Sequence, residues 1–522
     1  MIRTFVTIII YTALSINTCS AVIFTDTLQT GDELRHKVVI EQAPDSSDVS
    51  MHSKMHFWRA AGETVGFNLG LWAFDRYVQK GHFAYISWNT IKDNFRHGFE
   101  WDNDHLGTNM FAHPYNGSLF FNAGRSNGFN FWQSGLFAAA GSSIWEMFME
   151  CERPSTNDII ATPVGGMAIG EVLYRTSDLV LNDRSTGAQR AGREIAGFLI
   201  SPMRGINRLI TGEAWRVRPT TGREFGIPPI TVDVSVGARM ISLQEYNEGS
   251  RAGAAAAIMV EYGDRYASRT RRPFDYFTFL LEFNAIRTQP LLSRVEIVGR
   301  LLSREIAETP KYNVAIGMYQ HFDYFDSDSI KVRDWDNKLM PCVVPYKLGT
   351  PASAGAGLTA RIRPNRIWSA DGYIHLNGVF LAGILSDYYR YYNRNYNWAS
   401  GVSMKLGLFW QLYNGKLSVS LTDQLYKLYT WGNNDFSYDI LQTPDGKHAN
   451  VRGDNSDATF NHFNATVNYR FWKNLYISGS VDYYSRTTNY HDMNISIGET
   501  IVSYPIIHSK QFGTHIMLTC KF

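Results

Sequence analysis

Apolar residues recur at helical spacing in the first half of the chain and at strand spacing in the second. Phe57, Trp58, Ala61, Val65, Leu69, Trp72 and Ala73 fall on a helical period. Phe131 to Met149 and Asp158 to Tyr174 are apolar and rich in Gly and Ala, so helices there can approach closely. None is an unbroken apolar run of about twenty residues, the length of a membrane span. Pro114, Pro154 and Pro163 punctuate the region. After Pro229 the period becomes two. Val232, Val234, Val236, Ala238 and Met240 alternate with Asp233, Ser235, Gly237 and Arg239. The same alternation recurs over 256–263, 277–284, 402–408, 464–471 and 475–482. Further strands centre near 297, 316, 360, 376, 420 and 516, with alternation that breaks near 297 and 376. Lys473-Asn474 and Tyr413-Asn414-Gly415 read as tight turns, and Phe325 to Lys347 and Thr430 to Thr459 as long loops. Alternation with one apolar and one polar face is the signature of strands between lipid and a polar lumen.

The pattern predicts an α+β chain: an N-terminal, mainly helical module, then a C-terminal antiparallel transmembrane β-barrel of about twelve strands. The expected divisions are a signal peptide over 1–21, a lead-in over 22–54, the module over 55–215, a linker over 216–229 and the barrel over 230–522. In the last strand Phe512, Ile516, Leu518, Cys520 and Phe522 share one face. A terminal aromatic after such alternation resembles the assembly signal of outer-membrane barrels. The module is expected at the periplasmic face, against the inner leaflet or in the barrel mouth.

Composition narrows the class. Lys plus Arg is 50 and Asp plus Glu is 48, without the basic excess of a nucleic-acid binder. Aromatics reach 14%, which suits interfacial girdles. Mean hydropathy is −0.22, too polar for a bundle of membrane-spanning helices. Arg3, the apolar run Phe5 to Leu14 and Thr18-Cys19-Ser20-Ala21 read as an export signal cut after Ala21. The expected location is the outer membrane of a Gram-negative bacterium. Its lipids and the barrel-assembly machinery are the expected partners. Cys151, Cys342 and Cys520 remain after cleavage and form no metal or redox motif; they read as unpaired thiols, with a Cys151–Cys342 pair as the alternative.

Polar residues crowd the helical half. Asp102, Asp104, His105, Asn109 and His113 come first, with His105, Asn109 and His113 on one face of a continuous helix. Two histidines and Asp can ligate zinc or act as a base, but no His-Glu-x-x-His spacing is present, and no metal or cofactor is assigned. Glu146 lies among apolar neighbours, paired with Arg125 or Arg153 or raised in pKa. Ser155-x-x-Asp158 reads as a capping box. Ser142, Ser143 and Ser155 lack the Gly-x-Ser-x-Gly frame of a hydrolase nucleophile. His113-Pro114-Tyr115, Arg125-Ser126, Trp145-Glu146, Pro154-Ser155-x-x-Asp158 and Gly165-Gly166-x-x-x-Gly170-Glu171 occur in order. That series resembles the domain-of-unknown-function family numbered 3943, which implies an exported outer-membrane protein and no particular reaction. The shorter run from Glu146 to Gly170 is also similar to VanZ-type membrane proteins.

The leading expectation is therefore a non-catalytic envelope role in transport, anchoring or lipid organisation, with the ligand open. One rival is a lipid- or envelope-modifying hydrolase with His113, Glu146 and Asp158 as its catalytic acid–base set. The other is a small-solute channel. Asp233, Arg239, Glu261, Glu282, Arg300, Arg361, Lys405 and Arg470 point into the predicted lumen with both signs of charge, which favours a plugged barrel.

Overall fold

The two periodicities become two kinds of element. A computed structural model describes residues 54–243, 250–266, 272–329, 343–365, 367–389, 394–432, 452–491, 494–497, 500–503 and 506–522. The export signal, Cys342 and the middles of both predicted long loops lie outside these residues. The helices are α1 Phe57–Phe74, α2 Trp88–His97, α3 His113–Ser126, α4 Phe131–Ile144, α5 Thr156–Val180, α6 Gly187–Ile200 and α7 Pro202–Ile210. π-helical turns follow α1 and α4 and precede α3, at Asp75–Gln79, Trp145–Met149 and Thr108–Ala112. Pro163 does not punctuate the chain; it lies inside α5. The small residues act as expected. A Cβ on Gly166 would sit 2.5 Å from the backbone of Gly117, so α3 and α5 cross at backbone contact.

The strands are β1 Ile230–Leu243, β2 Ser250–Tyr262, β3 Phe277–Ala285, β4 Leu292–Glu308, β5 Tyr312–Asp326, β6 Lys347–Ile362, β7 Trp368–Leu385, β8 Tyr396–Leu412, β9 Leu417–Thr430, β10 Ser456–Trp472 and β11 Leu475–Tyr490. A separate hairpin, β12 Asn494–Ile497 with β13 Thr500–Ser503, precedes β14 Ile506–Lys521. Without that hairpin, twelve strands form one closed antiparallel barrel, sealed where β14 pairs with β1. The broken alternation has a physical cause. Register shifts fall between Arg300 and Leu302 and between Glu305 and Ala307 in β4, and between Val379 and Ala382 in β7. An inserted residue turns every later side chain to the other face. Tyr413, Asn414 and Gly415 all have positive φ, as the tight turn between β8 and β9 requires.

Bonds between strands that are not neighbours show which face is the lumen. Lys405 on β8 reaches Asp323 on β5, and Gln424 on β9 donates to Glu296 on β4 at 2.9 Å. Arg294 pairs with Glu282 and Glu296, and Asp482 takes His462 at 2.9 Å and His515 at 2.8 Å. Asp323, Lys405, His462, Asp482 and Arg239 are at most 2% exposed. A bore wide enough for water would expose them, so the lumen at their level is filled by its own side chains.

Successive strand residues face opposite ways. On β5, therefore, Gln320, Phe322 and Tyr324 point outward, and the helices meet them there. Gln320 Nε2 donates to the Val164 carbonyl at 2.8 Å, and the Tyr324 ring lies 5.9 Å from that of Phe111. This corrects the expected placement. The module is neither below the barrel nor in its mouth; it packs on the outer wall. The apolar outward faces of β2 to β5 explain this. Val260, Phe277, Val295, Ile297 and Phe322 share one core with Phe121, Phe131, Ile169 and Val172 of the helices. The α5 helix follows the wall from end to end. Its start bridges to Glu100 beside the β7–β8 connection, and Arg175 donates to the Pro273 carbonyl in the β2–β3 connection at 2.9 Å. No described helix is long and apolar enough to cross a membrane by itself. The module is instead inverted. Trp58, Trp88, Trp132, Leu136 and Ile195 are exposed, while Asn68, Asn122, Arg125, Glu171 and Arg175 are buried.

Candidate functional site

The polar crowd of the helical half assembles where the start of α5 meets the long-loop end of the barrel. Three segments build it. The 101–105 loop is pinned when Asp102 N–H donates to Asn157 Oδ1 and Asp104 N–H donates to Asp102 Oδ1, each at 3.0 Å. A π-turn over Thr108–Ala112 then carries the chain into α3 and turns His113 toward that loop. The third segment is the turn from α4 into α5, which brings Glu146, Glu150 and Asp158.

The three residues expected as an acid–base set converge. His113 Nε2 lies 3.8 Å from Asp158 Oδ2, and its side chain keeps 18% exposure while that of Asp158 keeps 2%. His113 and Glu146 line one crevice with Leu71, Asn116, Phe120, Ser142, Trp145 and Thr162. At about 10 Å³ it has room for about one water molecule.

The local bonding differs from the sequence reading in four ways. Ser155 does precede α5, but its side chain makes no capping bond. Its N–H donates to Glu146 Oε2 at 2.7 Å, so Glu146 takes the bond a capping box would give Asp158. Neither expected arginine partners Glu146: Arg125 binds Glu171 and Glu224, and Arg153 binds Glu100. His105 is exposed and only its carbonyl is used, accepting from Thr108 and Asn109. Ser142 donates to the Asp158 carbonyl at 3.1 Å and Ser143 to the Ala139 carbonyl at 2.8 Å, which leaves neither serine on His113. Cys520 is a free thiol, Cys151 Sγ lies 3.5 Å from the His82 carbonyl oxygen, and the alternative Cys151–Cys342 pairing falls outside the described residues.

Asp102 and Asp104 place ligand atoms within 4.8 Å of each other and of a His113 nitrogen. Burial, then the charges of Asp104 and Asp158, push the Asp102 carboxyl up to about 8. In the turn before α5, burial followed by the charges of Asp158 and Asp102 holds Glu150 well above the usual carboxylate range. The barrel completes the enclosure. Tyr396 Oη donates to the Asp104 carbonyl at 3.2 Å and accepts from Asn109 Nδ2 at 2.8 Å, and Arg394 donates to the Asp102 carbonyl at 2.9 Å. Glu150, Tyr396 and Arg394 were missed from the sequence. Tyr396 is 287 positions from Asn109, and no local pattern links them.

Fold and site together define a closed twelve-stranded antiparallel barrel of the transmembrane type, with a helical module on its outer wall. Residues 98–203, which carry the site, match the family described as Domain of unknown function (DUF3943). Solved structures with a similar barrel include the NanC porin, at 11% identity and TM-score 0.21, covering 55% of this chain and 98% of that one. The KdgM porin matches at 8% identity and TM-score 0.22, covering 55% and 99%. The toluene transporter TodX of Pseudomonas putida matches at 6% and 0.21, covering 56% and 88%. No curated protein matches the chain.

Proposed function

We propose that this chain is an exported outer-membrane protein that works beside its barrel, not through it. The barrel is the anchor, and the module is an envelope-lipid-organising unit that holds a polar site at bilayer depth. The observation that carries this reading is a contrast between the two regions: the lumen buries ion pairs, and the module exposes large apolar residues such as Trp58, Trp88, Trp132 and Leu136 while burying Arg125, Glu171 and Arg175. At about 1.5 Å per residue, the 25 residues of α5 run to about 37 Å, enough to match a bilayer core of about 30 Å. Export by the N-terminal signal and insertion by the barrel-assembly machinery complete the reading. The closing strand β14 and the terminal Phe522 would serve that machinery. A photo-crosslinker at Leu136, which is 70% exposed, tests the placement. It is expected to label lipid acyl chains in native membranes. Labelling by water-soluble reagents alone would overturn the reading, as would stepwise conductance of the purified protein in planar bilayers.

A second reading is favoured by the 3.8 Å approach of His113 to Asp158. In it, His113 is the base, Asp158 orients it and Glu146 is the acid of a lipid-modifying site. Mass spectrometry of envelope lipids from cells carrying His113→Asn tests it. A lipid profile identical to that of the parent would remove it.

A further inference from the structure

We propose that Asp102, Asp104 and His113 bind one divalent transition-metal cation, Zn²⁺ or Mn²⁺, with Asn109 and Asp158 beside them. Three observations support it. The ligand atoms of the first three residues already lie within 4.8 Å of one another, and two come from a loop fixed by its own backbone bonds.

Second, Asn109 stands beside the cluster with one of its polar atoms unpaired. It is fully buried, its amide lies against Asp102, and its Nδ2 donates to Tyr396 Oη, yet its Oδ1 has no partner. A buried carbonyl oxygen without a donor is costly, and a small rotation of the amide toward a cation in the cluster would satisfy it.

Third, acidic groups outnumber the bases beside them. Five carboxylates gather here: Asp102, Asp104, Glu146, Glu150 and Asp158. Among the described residues, the one ion pair to any of them is His113 with Asp158. Acidic groups gathered this closely are ordinarily protonated, paired with a base or bound to metal.

The donor set narrows the ion. One imidazole with carboxylate oxygens suits Zn²⁺ or Mn²⁺, whereas Mg²⁺ and Ca²⁺ prefer oxygen alone. Three protein ligands leave a coordination position open, as in zinc sites that bind water or substrate. Tyr396 on the Asp104 carbonyl and Arg394 on the Asp102 carbonyl tie the ligand loop to the barrel, so the ion would also fasten module to wall. The inference holds whether or not the module acts on lipid.

The test uses the full chain, purified in detergent, stripped with chelator and titrated calorimetrically with Zn²⁺, Mn²⁺, Mg²⁺ and Ca²⁺. One equivalent of Zn²⁺ or Mn²⁺ is expected to bind, at least about tenfold more tightly than Mg²⁺ or Ca²⁺. Asp104→Asn and His113→Asn are each expected to weaken binding at least about tenfold, and Asp93→Asn on the exposed face of α2 to leave it unchanged. Heat-modifiable gel mobility and helical circular dichroism report whether each variant folds. If one variant fails to fold, the other decides. Absence of saturable binding, equal binding of all four ions, or wild-type affinity in a folded variant would each overturn the inference. Lipid labelling at Leu136 is read separately, in native membranes, and needs no cation, so failure of this site is distinguishable from failure of the proposed placement.

Discussion

Two polar interiors lie on opposite sides of one barrel wall, and they are built on opposite rules. In the lumen, acids meet bases, across the bore in Asp323 with Lys405 and along neighbouring strands in Arg294 with Glu282 and Glu296 and Asp482 with two histidines. At the module–barrel seam, five carboxylates surround one imidazole. A charge-balanced interior closes a space, even where atoms such as the ring nitrogens of His321 and His375 stay without hydrogen bonds. An unbalanced one keeps unused coordination and hydrogen-bonding capacity, which is what a site requires. The seam is also the less buried of the two, since Asp102, Asp104, His113 and Glu150 are half-buried.

The largest expected effect tests the lumen. Asp323→Ala leaves Lys405 buried without its partner and is expected to cost about 3–5 kcal/mol. Adding Lys405→Met should restore most of that loss. Urea unfolding followed by gel mobility measures both, and an undamaged single variant would show that the lumen is not held by pairing. Next is the contact that builds the module. Gly166→Ala places a Cβ 2.5 Å from the Gly117 backbone and is expected to cost about 1–3 kcal/mol of helical stability. The seam should respond with the opposite sign. In chelator, Asp104→Asn removes like-charge repulsion and is expected to stabilise the module by about 0.5–1 kcal/mol, as calorimetric melting would show. If it destabilises, the seam is a paired network like the lumen. The smallest change is expected at Asp93→Asn, which removes an exposed pair with His97 and should fall within about 0.5 kcal/mol.

The barrel was more legible than the site. Strand alternation depends on the nearest neighbours in the chain, so β1, β8, β10, β11 and β14 could be read directly, as could the turn at Tyr413-Asn414-Gly415. Bulges blurred β4 and β7 because an extra residue inverts the pattern without ending the strand. At the seam, the ordered motifs revealed His113, Glu146 and Asp158 as unusual, and Asp102, Asp104 and Asn109 were visible as a polar run. Their bonding was not. Glu146 took the Ser155 N–H because a turn of α4 delivered it there, and the expected arginines were already held by Glu171, Glu224 and Glu100.

By itself, the sequence determined that a helical module precedes an antiparallel barrel of about twelve strands, because period and turn chemistry are local properties. Which side of the wall the helices occupy was decided only by the tertiary structure. The outward residues of β2 to β5 are as apolar as lipid-facing ones, and alternation reads the same whether lipid or a helix covers them. The balance of charge in each interior was decided there too, since it depends on partners hundreds of residues apart, such as Asn109 and Tyr396.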